Sequence, residues 1–166
     1  MALAPSTSDA VRYAGGWLFD RAMAGWDATV AAPDHGGSRP LRILGVRGAD
    51  LESAVATSFG GPGCLALAVH AGLYASDERV RRMVLEAREG ALADVRFWGE
   101  AWPGDLTEGG GVTRHRLSVA ARAFKHQALT ASATAVDMIG GIEVFRRGGP
   151  PLRRPGAAPR TGSLTG

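Results

Sequence analysis

Cys64-Leu65-Ala66-Leu67-Ala68-Val69 is a continuous apolar run, preceded by the chain-breaking Gly60-Gly61-Pro62-Gly63. A strand with one wet face alternates apolar and polar residues. A run that is apolar at every position fits a strand covered on both faces, as in mostly parallel sheets. Downstream, Ser76 followed by Asp77 and Glu78 caps a helix whose apolar stripe is Val80, Met83, Val84 and Ala87. Arg79, Arg81, Arg82 and Arg88 lie off that stripe, and residues 94–98 (Asp-Val-Arg-Phe-Trp) read as the next strand. Strand, helix, strand is the signature of a three-layer α/β domain.

Upstream, Ser8 and Asp9 open a helix with Val11, Ala14, Gly15, Leu18 and Ala22 at helical spacing. Trp17, Phe19 and Met23 fall outside this stripe, so the helix is apolar on more than one side and predicts contact with another chain. Residues 26–32 and 41–46 read as strands joined by the turn-rich Pro33-Asp34-His35-Gly36-Gly37-Ser38. That connection has no room for a helix, which predicts an antiparallel edge pair near the N-terminus. A short helix is expected over residues 49–59 and a loop over 99–111. A long helix is expected over 113–132, with Leu117, Ala120, Ala121, Phe124 and Ala128 inward, and a last strand over 136–145.

The domain is expected to span residues 1–145. Beyond it, residues 146–166 hold Arg146, Arg147, Arg153, Arg154 and Arg160 but no Asp or Glu, so the first 145 residues carry 14 basic against 16 acidic groups. The net charge of +3 therefore belongs to a Gly/Pro/Arg tail expected to be disordered, on a mildly acidic domain. There are 18 arginines, one lysine (Lys125) and no asparagine, a bias that a GC-rich bacterial coding sequence produces by itself. The arginine excess is accordingly weak support for phosphate binding. The lone Cys64 permits no intramolecular disulfide and reads as a small buried hydrophobe. Without a signal-peptide pattern or a spanning apolar stretch, a cytoplasmic protein with no membrane contact is expected.

No phosphate loop, serine elbow or metal-ligand spacing is present, so no catalytic residue, metal or cofactor is assigned. The expected function is a non-enzymatic regulatory or adaptor protein that binds a protein partner, or itself, through the first helix. A second reading is a nucleic-acid-binding accessory protein using Arg114, Arg122 and Lys125 with Arg153 and Arg154 of the tail. A third is a small-ligand-binding or enzymatic domain. In open α/β sheets ligands sit beyond the carboxyl ends of the strands, and there Arg47, His70, Glu100 and Trp102 supply a cation, a titratable ring, an acid and an aromatic wall.

Overall fold

The computed structural model describes residues 1–35, 38–56, 66–89, 94–100, 111–132 and 139–148. Seven strands, β1 (Ala2–Leu3), β2 (Thr29–Ala31), β3 (Arg47–Ala49), β4 (Ala66–His70), β5 (Asp94–Trp98), β6 (Val112–Arg116) and β7 (Ile142–Arg147), form one sheet in the order β3-β2-β1-β4-β5-β7-β6. The first five of that order pair in parallel, and β7 runs antiparallel to both β5 and β6.

Helices cover both faces, as the apolar run of β4 requires. Ala2, Val30 and Ala68 face one core with α1 (Thr7–Met23), α2 (Arg39–Ile43) and α6 (Val119–Ala131). Leu3, Ala31, Leu67 and Val69 face the other core with α3 (Leu51–Ala56), α4 (Ala71–Ser76) and α5 (Glu78–Glu89). The expected stripe Val80, Met83, Val84 and Ala87 is the buried side of α5. No described helix is long and apolar enough to cross a membrane.

The mostly parallel three-layer sheet stands, but several local expectations are corrected. Residues 41–46 are not a strand: α2 and its C-terminal turn occupy most of the segment, with Pro40 in the first turn and Ser38 as N-cap. The next strand starts only at Arg47, and β3 lies parallel to β2. The antiparallel strand is therefore β7, toward the opposite end of the sheet. The expected 113–132 helix divides into β6 and α6, with Ser118 as the α6 N-cap. Ser6 rather than Ser8 caps α1, accepting the Asp9 amide at 3.1 Å. Strand β7 continues to Arg147, whose partner is Arg96, and the Gly148 amide bonds Val95, so ordered pairing passes the expected boundary at residue 145. The tail from residue 149 lies outside the described residues, with Cys64.

Candidate functional site

Because β1, β2, β4 and β5 run parallel, their carboxyl ends meet along one edge of the sheet. Asp34 and His35, which follow β2, are thus on the same edge as His70, not the opposite one that an antiparallel β2 would give. Asp34, His35 and Asp50 there each bond backbone groups. Asp34 Oδ1 accepts the Thr7 amide at 2.7 Å and its hydroxyl at 3.0 Å, tying the β2 loop to the start of α1. His35 Nδ1 donates to Ala32 O at 3.0 Å. Asp50 accepts the Ser53 amide at 2.8 Å; that bond and the one from the Ser53 hydroxyl hold its carboxyl below the usual aspartate range.

His70 ends β4 and caps α4, its Nδ1 accepting the Leu73 amide at 3.3 Å. An accepting Nδ1 places the proton of the neutral ring on Nε2. Gly99 explains how the ring fits. Its φ of +113° favours glycine, and a Cβ there would sit 3.1 Å from His70 Nε2. Among the described residues no three His, Cys, Asp or Glu side chains form a group that could hold a metal ion.

Open space lies one strand further along. Register between β5 and β7 is confined to Arg96↔Arg147 and Phe97↔Arg146. Beyond it, a cleft of about 530 Å³ has Trp98, Gly99 and Glu100 among its walls on the β5 side and Ile142 to Arg146 on the β7 side. Arg12 and Tyr13 of α1 and Lys125 and Leu129 of α6 complete much of the lining. Lys125 Nζ donates to Glu143 Oε1 at 2.6 Å. The same carboxylate accepts the Gly16 and Trp17 amides, each at 2.8 Å. Glu143 is therefore saturated and buried, and Glu100 is the exposed carboxylate of the described lining.

Away from the cleft, Asp20 accepts from His115 Nε2 at 2.8 Å and from the Ser118 hydroxyl at 2.6 Å. Burial pushes the Asp20 carboxyl up, but these hydrogen bonds outweigh it and hold the group below its ordinary range. Both partners bond the acid and not each other, so this is a brace between α1 and the β6–α6 connection rather than a nucleophile–base relay.

The residues expected to form a site are only partly brought together. Glu100 lines the cleft, and His70 stands beside it, its ring 6.1 Å from that of Trp98. Arg47 does not join them. It begins β3 opposite Thr29, level with Leu67, three strands away from β4, and pairs with the exposed Asp27. Trp102, Arg153 and Arg154 lie outside the described residues. Lys125 is buried against Glu143, while Arg114 stands on β6 and Arg122 on α6, so the expected single basic helix face does not form.

The expected interface on α1 is also corrected. Trp17 is 2% exposed, its ring 5.7 Å from that of Phe145, and Phe19 is 4% exposed and stacked on Phe124 at 4.8 Å. Only Met23 of the three is solvent-facing. The second apolar side of α1 is covered by α6 and β7 of its own chain.

Glu143, missed in the sequence, had one signal: in Ile142-Glu143-Val144-Phe145 it shares the inward parity of Phe145, where an acid needs a buried partner. Arg12 and Tyr13 had none.

No protein-family model matches the sequence, and no curated protein matches it. Solved structures do resemble the fold. A deacetylase triple mutant of the teicoplanin biosynthetic pathway superposes with a TM-score of 0.62 at 13% identity, over 88% of this chain and 95% of that one. The A40926 pseudoaglycone deacetylase gives a TM-score of 0.60 at 16% identity, over 88% and 95% of the two chains. The expectation of a non-enzymatic regulatory or adaptor protein is overturned: the fold is shared with enzymes, and the α1 surface that supported a partner is buried within the chain. At this identity the likeness establishes a deacetylase-like α/β fold.

Proposed function

We propose that this chain is an enzyme of the amide-hydrolase type, removing an acyl group from an amine-bearing substrate bound in the β5–β7 cleft. The observation that carries the reading is the cleft itself, at the carboxyl edge where α/β folds bind ligands, in a fold that the two deacetylases share. The reaction adds water across the amide. The water oxygen bonds the acyl carbon, the carbon–nitrogen bond breaks, and a proton passes to the departing nitrogen, giving an amine and a carboxylate. In this reading Glu100, the exposed acid of the described lining, takes the water proton. Arg12, also on the lining, supplies positive charge for the oxyanion that develops on the acyl oxygen.

The test is acetate release from N-acetylglucosamine and from an N-acetylated pseudoaglycone, with Glu100→Gln as control. Release that falls at least about a hundredfold in the variant supports the reading. A second reading, ligand binding without turnover, is favoured by the commitment of Asp34 and His70 to backbone caps. Saturable binding with no acetate release would select it.

A further inference from the structure

Strand β6 ends the sheet, and among the described residues only β7 pairs with it. The Arg147 amide donates to Gly111 O and the Leu117 amide to Gly141 O, each at 3.0 Å. Hydrogen-bonded pairs of an antiparallel ladder recur at every second residue, so Thr113 and His115 are the β6 residues that bond across to β7. The amides and carbonyls of Val112, Arg114 and Arg116 therefore point the other way, along the open edge. Side chains of the same three residues are exposed and share one sheet face with Ile142 and Val144 of β7. Free backbone groups and accessible side chains coincide on alternate residues.

Globular domains commonly blunt a sheet edge with proline, a bulge or charge. The paired length of β6 has no proline and an unbroken register, which leaves charge. Arg114 and Arg116 make no ion pair among the described residues, and the outward face of the hairpin holds no acid. That charge selects the occupant. A second copy added along β6 would set these arginines against their own counterparts, and like charges directly opposite repel. A nucleic acid would find no aromatic group on this face for base stacking, only Val112, Ile142 and Val144 between the cations. We propose that β6 is a docking edge for an extended acidic segment of a partner polypeptide. The segment adds to the sheet beside β6, with carboxylates opposite Arg114 and Arg116 and an aliphatic side chain opposite Val112. This edge lies on the far side of β7 from β5, so the proposal is independent of any reaction in the cleft.

The experiment is calorimetric titration of the full chain with a synthetic peptide in which glutamate, glutamate and isoleucine, in that order, alternate with threonine. It is expected to bind at least about tenfold more tightly than the same peptide with lysine for both glutamates. N-methylation of the two glutamate amides, which face the edge, is expected to abolish binding, whereas N-methylation of the threonines between them leaves it unchanged. Arg114→Glu, at an exposed position, is expected to weaken the acidic peptide at least about tenfold and to strengthen the lysine peptide, with an unchanged thermal midpoint. Arg116→Gln, a milder change on the same face, is expected to weaken the acidic peptide in the same direction. Equal affinity for the two peptides, equal effects of the two methylations, or undiminished binding by the folded variants would overturn the proposal. So would polyphosphate binding more tightly than the acidic peptide, or a dimer that Arg114→Glu dissociates.

Discussion

Lys125 and Glu143 form an ion pair in the interior, with side chains 7% and 4% exposed, and join the middle of α6 to β7 beneath the cleft. With the Gly16 and Trp17 amides on the same carboxylate, this junction fixes three elements at once. Removing one partner of such a pair leaves a buried charge, which costs more than the pair contributes. Lys125→Met is expected to lower unfolding free energy by about 3 kcal/mol. Adding Glu143→Gln, which removes the stranded charge and keeps an acceptor for one of the two amides, is expected to restore part of it. Urea unfolding of both variants checks this; a double variant no more stable than Lys125→Met would refute it.

Adjacent glycines of α1 should respond in opposite directions. A Cβ on Gly16 would lie 2.3 Å from Leu117 Cδ2 and 3.2 Å from Glu143 Oε1, whereas one on Gly15 would meet nothing closer than 3.5 Å. Gly15→Ala is expected to stabilise by up to about 1 kcal/mol through helix propensity. Gly16→Ala is expected to destabilise by about 2 kcal/mol through overpacking. Thermal unfolding of the two variants separates these outcomes by sign.

The Asp20 brace predicts a pH dependence. Its carboxyl is held below the ordinary range in the folded chain, so its contribution is present above the unfolded aspartate value and is lost as pH falls through the folded one. Asp20→Asn is expected to cost about 1 kcal/mol at pH 7, the group being partly exposed, and almost nothing near pH 2. Stability curves of both proteins across that range should converge on the acid side. A constant gap would mean the charge is irrelevant.

Phe19 tests whether α1 is internal. Stacked on Phe124 and 4% exposed, it should not tolerate a charge. Phe19→Asp is expected to destabilise by roughly 3 kcal/mol or more, because an ion would be buried without a partner. Circular dichroism with light scattering reads this. A folded variant of lower mass would instead restore an interface on this helix.

Residues whose local pattern matches their environment were legible before folding. The uninterrupted run ending in Val69, the stripe of α5 and the strand Asp94–Trp98 each announce their element, because burial imposes a period on the sequence. Glu100 was found in the same way, as an acid just past a strand end. Segments under weaker constraint were not legible. β6 exposes Val112, Arg114 and Arg116, so Thr113-Arg114-His115-Arg116 carries no apolar alternation. β1 has only two residues, too few for any period.

The sequence by itself determined that helices and parallel strands alternate around a doubly covered sheet, since solvent exclusion is written residue by residue. Tertiary structure alone decided which neighbours meet. Strand β3 starts after a short helix rather than at residue 41, and that reverses its direction and carries Arg47 away from His70. The fold likewise brings α6 and β7 onto the second apolar side of α1, and pairs Lys125 with a glutamate 18 residues on. Such pairings depend on chain direction and crossover, which no local window of sequence records.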